Sequence, residues 1–272
     1  MRKEKKTVYY NDELGDDFAG TNIKSECVDE SFRFVRRGVI FRICAFLLYY
    51  VVALPLVWFY ERIILRVRFV NRRAVRKYRK TPYFLYGNHT GWYDAFTPCL
   101  ISAPRKNCTV VSADAVSIKG LRCIVQMLGA IPVPTTYRAM RKFSEAVDHY
   151  HKHCNITVYP EAHIWPYYTG VRRFSDTSFS YAVKHGCPVF AFFTAYTEPK
   201  GFLACFRRAN ATVYVSDPIL PDTALPPHEA RRDLCDRVYA FMLEKSALST
   251  YTVIDYVKRE DVNAECKMQN EK

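Results

Sequence analysis

His89 and Asp94 are the residues of this chain whose types and spacing best suit chemistry. They stand in Tyr83-Phe84-Leu85-Tyr86-Gly87-Asn88-His89-Thr90-Gly91-Trp92-Tyr93-Asp94, where an apolar run ends in Asn-His and a carboxylate follows. The run reads as a buried strand and Gly91-Trp92 as a turn. A strand ending in histidine puts the imidazole at the carboxyl edge of a sheet, where open α/β sheets bind ligands. A nearby carboxylate holds one ring nitrogen and leaves the other to take a proton. Spacing alone is weak, since chance supplies roughly 0.36 such pairs in a chain of this composition. A second pair does occur, His228 and Asp233. Its segment reads as a helix with Leu234, Val238, Phe241 and Met242 on one stripe, where residues five apart point about 140° apart. That pair cannot easily meet, whereas the strand-loop context of His89 permits contact.

A second strand end carries a carboxylate at the matching place: Ile156-Thr157-Val158-Tyr159-Pro160-Glu161-Ala162-His163. Pro160 ends the strand because it cannot donate to the ladder. Arg172 and Arg173 follow an aromatic-rich loop, and an arginine fork at a sheet edge suits a phosphate or carboxylate. Further apolar runs predict strands at 109–112, 130–133, 189–193 and 212–215. Helical patterns lie between most of them: 116–128, 137–150 (Met140, Phe143, Val147 and Tyr150 on one stripe) and 175–185, closed by Gly186. This alternation predicts an α/β fold, a mainly parallel sheet flanked by helices.

Upstream the chain changes character. Residues 1–30 are polar and mixed in charge and predict a mobile or loosely docked arm. Residues 31–80 form a basic and apolar segment, and 81–272 the α/β domain. Ile43 to Tyr60 contains no charged residue. As a helix it spans about 27 Å, just enough for a hydrocarbon core, although Pro55 interrupts it. Crossing the bilayer and lying in one leaflet both remain open. Arg33, Arg36, Arg37 and Arg42 precede the run, and Arg62, Arg66, Arg68 and others follow it, within a net charge of +13. Basic flanks around an apolar segment suit an anionic membrane surface. No zinc-finger spacing, RNA-recognition signature or clear helix-turn-helix points to nucleic acid. Ten cysteines without Cys-x-x-Cys or paired spacing favour reduced thiols. His149, His151, His153 and Cys154 resemble metal ligands on paper, but they close a helix whose C-terminal dipole favours cations. No metal site is expected.

With these parts in order, the chain resembles the glycerolipid acyltransferase family, which includes the 1-acylglycerol-3-phosphate acyltransferases. Asn88 to Asp94 is similar to its Asn-His-x4-Asp block. Lys119-Gly120-Leu121 through Gly129-Ala130-Ile131-Pro132-Val133 is similar to the second block. Tyr159-Pro160-Glu161 is similar to Phe-Pro-Glu-Gly, and Pro188-Val189-Phe190-Ala191 to the final strand. The resemblance covers about residues 40 to 220 and makes the basic, apolar segment a membrane anchor. It implies that His89 is the general base on a glycerol hydroxyl of a lysophospholipid, oriented by Asp94. The acyl group then comes from a thioester, acyl-CoA or acyl-carrier protein, without an acyl-enzyme, a metal or a bound cofactor. Glu161 would shape the acceptor site, and the active site would face the cytoplasm at the membrane.

Two departures bear on the acceptor. Ala162-His163-Ile164-Trp165 stands where the family has Gly-Thr-Arg-Ser, so its arginine is missing at that place. Thr135 and Thr136 stand where the second block usually has another. Arg138, Arg141, Arg172 and Arg173 are the nearby substitutes. On that expectation, replacing Arg172 and Arg173 raises the Michaelis constant for a phosphate-bearing acceptor. The rival readings are a catalytically idle lipid-binding or scaffold protein on the same fold and a coenzyme-independent phospholipid transacylase.

Overall fold

The computed structural model describes residues 6–20, 26–118, 120–201, 204–206 and 208–259. The strands among them are β1 (Lys6–Tyr10), β2 (Arg68–Val70), β3 (Phe84–Gly87), β4 (Asn107–Val111) and β5 (Ala130–Pro132), followed by β6 (Asn155–Val158), β7 (Val189–Thr197), β8 (Asn210–Val215) and β9 (Ile254–Lys258). The main helices are α1 (Val39–Ile64) and α2 (Arg72–Arg76). Then come α3 (Thr97–Ser102), α4 (Arg122–Met127), α5 (Met140–His151), α6 (Ser180–His185) and α7 (Pro227–Ser246).

Seven strands form one sheet in the order β2-β8-β7-β3-β6-β4-β5. All neighbours run parallel except β7 with β8. The predicted fold class is therefore observed, and β3, with His89 just beyond it, lies mid-sheet. Because alternate strand residues face opposite sides, Phe84 and Tyr86 join one core layer while Tyr83 and Leu85 join the other. That double burial explains why β3 reads as an unbroken apolar run. Gly87 ends the strand because a Cβ there would lie 2.1 Å from the Phe192 ring on the neighbouring β7.

Several expectations change. The helix predicted at 116–128 is a short turn, Ala113–Val116, followed by α4. Gly120 stands between them at φ +80°, which no right-handed helix accommodates. Lys119, at the start of the second block, lies outside the described residues. The α/β unit begins before residue 81, since β2 pairs with β8 from Arg68↔Thr212. Residues 260–272 of the expected domain lie outside the described ones.

The amino-terminal arm is also more firmly placed than predicted. Residues 1–5 and 21–25 lie outside the described part, but β1 pairs in parallel with β9 over five residues. Beyond it, Phe18 N–H donates to Ile164 O at 3.1 Å and the Trp165 indole donates to Asp16 O at 2.8 Å. Tyr10, Phe18 and Tyr256 pack around the Trp165 ring. An aromatic anchor supplies the burial that a polar composition hides.

The apolar segment forms one helix, α1, of 26 residues, and only 11% of its most apolar window is buried. Its inward residues include Ala45, Tyr49 and Glu61. The Tyr49 hydroxyl accepts from Asn107 N–H at 3.0 Å, and Glu61 Oε1 accepts from Thr97 Oγ1 at 2.9 Å. The helix is thus tied to the domain at two points twelve residues apart, about 18 Å along its axis. Ile40, Ile43, Phe46, Leu47, Val51 and Trp58 are exposed on it.

His151 at the end of α5 is buried and stacks on Phe84 at 4.8 Å. Burial, with the charges of His185 and Arg105, pushes its pKa down to about 4. In the unfolded chain it returns to about 6.5. Between those values the unfolded state holds the extra proton, so stability is full above pH 6.5 and falls as the pH drops toward 4. His151→Phe is expected to remove about 2 kcal/mol of the loss between about pH 7 and pH 5, read from urea midpoints. The Nδ1 atom has no partner to lose. A profile as steep as the wild type's would take His151 out of the acid response.

Candidate active site

The short path from β3 into the Trp92–Ala95 turn brings His89 and Asp94 together. Their contact is His89 Nδ1 to Asp94 Oδ2 at 3.2 Å. The same oxygen accepts the backbone N–H groups of Thr90 at 2.6 Å and Gly91 at 2.7 Å. Asp94 is therefore held rigidly as an acceptor, and Nδ1 is the ring nitrogen that donates to it. The other nitrogen, Nε2, is left as the proton acceptor. Exposure fits this division: the Asp94 side chain is 2% exposed and that of His89 16%.

Tyr159, not singled out by sequence spacing, completes the support. Its ring stacks on the His89 imidazole at 4.4 Å and 19°, and its hydroxyl donates to Asp94 O. One residue thus fixes both members of the pair. The signal was its position at the end of β6, which is the direct neighbour of β3. Asn88 anchors the other side. Its amide oxygen accepts from Thr194 N–H at 2.8 Å, and its Nδ2 donates to Thr194 O at 3.3 Å. Beside them a chain of hydroxyls runs from Thr90 Oγ1 to Tyr196 at 2.8 Å and on to Tyr93 at 2.7 Å.

Glu161 lies behind this pair, buried, and its Oε2 accepts His89 N–H at 3.4 Å. Burial pushes its carboxyl upward, while Arg172 beside it pulls the other way. Arg172 donates from Nη2 to Glu161 Oε2 at 3.2 Å and from its backbone N–H to Oε1 at 3.2 Å. It also donates to His163 O, and to Glu13 O at 3.4 Å, and it lies over the Trp165 ring. Its side chain is 0% exposed. The expected acceptor-binding role of Arg172 is therefore corrected: every contact points inward, beneath the amino-terminal arm, and it holds Glu161 and the loop.

The remaining predicted site residues are not brought to His89. Arg173 is exposed, and Arg138 is exposed in the turn Tyr137–Ala139 after β5. With β5 three strands from β3, roughly 14 Å of sheet lies between them. Arg141 pairs with Glu145 on an exposed face of α5. The decoy separates as expected, with His228 against Glu229 and Asp233 against Arg237. His149, His151 and His153 also part, since His151 is buried under α5 while His149 and His153 face each other at 6.1 Å. No group of three or more His, Cys, Asp or Glu suited to a metal ion occurs among the described residues.

The altered third block keeps a backbone feature of its own. Ala162 sits at φ +64°, a left-handed conformation that costs a residue with a Cβ roughly 1–2 kcal/mol. Bonds from Ala162 N–H to Tyr159 O and from His163 N–H to Glu161 O hold the turn. The glycine expected there by resemblance would adopt this conformation freely.

The acyltransferase family model matches residues 66–194, a span that includes Asn88 to Asp94 and Tyr159 to Arg173. This stretch of the chain is therefore similar to acyltransferases. The fold has a counterpart in the crystal structure of PlsC from Thermotoga maritima, described as the 1-acyl-sn-glycerophosphate acyltransferase. The likeness has a TM-score of 0.51 at 16% identity and covers 71% of this chain and 80% of that one. A comparison with curated proteins finds no match. Along the chain the order of parts is strand β3 with His89 just beyond it, strand β6 with Glu161 beyond it, and strand β7, which lies between β3 and β8 in the sheet.

Proposed function

We propose that the protein is an O-acyltransferase that moves a fatty acyl group from a thioester to a glycerol hydroxyl of a lysophospholipid such as 1-acylglycerol-3-phosphate. The observation that carries this reading is the His89–Asp94 pair, with Asp94 fixed by two backbone N–H groups at the carboxyl edge of the sheet. His89 Nε2 takes the proton of the acceptor hydroxyl as its oxygen attacks the thioester carbonyl. Asp94 holds the ring and stabilises the imidazolium. As the tetrahedral adduct collapses, the C–S bond breaks and the imidazolium returns its proton to the departing thiolate. The thiol is that of coenzyme A or acyl-carrier protein. The acyl group passes straight to the acceptor, so this route uses no protein nucleophile and no bound cofactor.

Buried Arg172 cannot supply the charge for a phosphorylated acceptor. The cations Arg66, Arg68 and Lys200 line a cavity of about 680 Å³ together with Thr197, at the end of β7. The neighbouring Tyr196 hydroxyl meets Thr90, next to His89. Glu198 also lines it and pairs with Lys200 at 4.0 Å, so a phosphate placed there would be met chiefly by Arg66 and Arg68. The α1 helix would lie at the boundary of one leaflet rather than cross the bilayer. Support comes from its two ties to the domain at Tyr49 and Glu61, with an apolar face left open to lipid. Basic residues on both flanks favour an anionic surface.

The test is acyl transfer by the purified full chain, with labelled acyl-CoA and acyl-acyl-carrier protein offered to lysophospholipids of different headgroup. Transfer to lysophosphatidate from a thioester is expected, with a Michaelis constant that rises in Arg66→Gln and Arg68→Gln. Transfer that favours an uncharged alcohol would remove the phosphate assignment. Failure with every thioester would remove the activity.

A further inference from the structure

A second basic cavity lies at the opposite edge of the sheet. Its volume is about 410 Å³, its cations are Arg36, Arg37, Arg42 and Lys106, and His149 and His153 line it beside them. Arg36, Arg37 and Arg42 come from the approach to α1 and its first turns. His149 and His153 come from the end of α5. Lys106 immediately precedes β4. Parallel strands begin at one edge and end at the other, so the start of β4 lies across the sheet from His89. This cavity belongs to no part of the acyl-transfer site.

Its charge is unbalanced. No aspartate or glutamate among the described residues lines it. The cations crowd one another enough to be felt: burial, then Arg37, His153, Lys152 and Arg42, lowers the pKa of His149. Part of the wall is also built in advance. Arg36 Nε donates to Gln126 Oε1 at 2.7 Å, and Gln126 in turn donates to Arg33 O at 2.9 Å. Lys106 Nζ donates to Met127 O at 2.7 Å and lies over the Tyr49 ring. A surface gathered only for solubility would spread like charges apart rather than fix several of them around one hollow.

The rest of the cavity is apolar. Phe41, Phe46 and Tyr50 of α1 contribute to its wall. Phe46 is exposed, and so are Ile40, Ile43 and Leu47 around it. Thus the hollow opens where the lipid-facing side of the helix begins. An occupant must match several cations with an anion and then continue into apolar surface.

We infer that this cavity binds the phosphate of an acidic membrane glycerophospholipid, with an acyl chain laid along the exposed face of α1. The site anchors and orients the protein on the membrane at a point remote from His89. It would hold the amino end of α1 at headgroup level, as the ties at Tyr49 and Glu61 hold the helix against the domain. The inference stands whether or not the acyl-transfer reading is correct, because its readouts are binding measurements.

The experiment uses the full chain, phosphatidylcholine vesicles with and without phosphatidate, short-chain soluble phosphatidate, and inorganic phosphate. Phosphatidate in the vesicles is expected to raise partitioning. Arg37→Gln and Arg42→Gln should each lower it by about fivefold. Arg232→Gln, on the exposed side of α7, should change it little. In nuclear magnetic resonance titrations, soluble phosphatidate should raise the pKa of His149 in the wild type, because its phosphate relieves the cationic crowding. The shift should vanish in the Arg37→Gln/Arg42→Gln double variant. Equal losses from Arg232→Gln would show diffuse charge and overturn the site. Inorganic phosphate acting as strongly as soluble phosphatidate would overturn the lipid as its occupant. An unmoved His149 with soluble phosphatidate would overturn the cavity as the place of binding. Transfer between soluble short-chain substrates should be unchanged in Arg37→Gln and Arg42→Gln.

Discussion

Arg172→Met is expected to destabilise the protein by about 3–5 kcal/mol, the cost of leaving a buried carboxylate without its partner. Glu161 and Arg172 are both fully buried and joined by side chain and backbone. Arg172 also ties His163 O and Glu13 O. Its removal therefore uncouples the loop after β6 from the amino-terminal arm as well as stranding Glu161. The measurement is the urea midpoint of unfolding. The double variant Arg172→Met/Glu161→Gln should recover part of the loss, because a neutral amide is less costly to bury than an unpaired carboxylate. Near the acceptor, the same substitution would instead raise the Michaelis constant and leave the midpoint in place. That pattern would contradict the inward role described above.

Asp94→Asn is expected to lower the turnover number by about 10²- to 10⁴-fold, the range that general-base assistance contributes. The carboxylate now accepts from Thr90 N–H, Gly91 N–H and His89 Nδ1 through a single oxygen. With its amide oxygen in that place, an asparagine can keep all three contacts. Being uncharged, it cannot favour an imidazolium as a carboxylate does, so the proton taken from the acceptor hydroxyl is no longer stabilised on the ring. The turn should survive, so the loss should appear in the rate and not in the urea midpoint. Unchanged turnover would remove Asp94 from the dyad.

The two central strand ends were legible because each carries its own punctuation. The apolar run of β3 is buried on both faces and stops at Gly87, which the Phe192 ring requires to lack a side chain. The run of β6 stops at Pro160. Strand β2 was not legible, since three residues, Arg68–Val70, give too short a pattern to distinguish from a loop. The role of Arg172 was hidden for a different reason. Sequence shows a cation near a sheet edge, but only the folded arm shows that the edge is roofed there. The arm itself read as loose because its composition is polar. What docks it is a small set of aromatics, Tyr10 and Phe18 meeting Trp165 and Tyr256, contributed from distant parts of the chain. Tyr159 was missed because stacking on His89 depends on β3 and β6 being neighbours, which neither segment declares alone.

The central claim is that His89 removes the proton from the acceptor hydroxyl. Its most direct test is the rate of acyl transfer from acyl-CoA to lysophosphatidate by wild type and by His89→Ala, at one pH and with matched urea midpoints. The wild type should transfer. The variant should fall by about 10²- to 10⁴-fold, with no comparable change in the binding of either substrate. A folded His89→Ala protein that transfers at the wild-type rate would contradict the account.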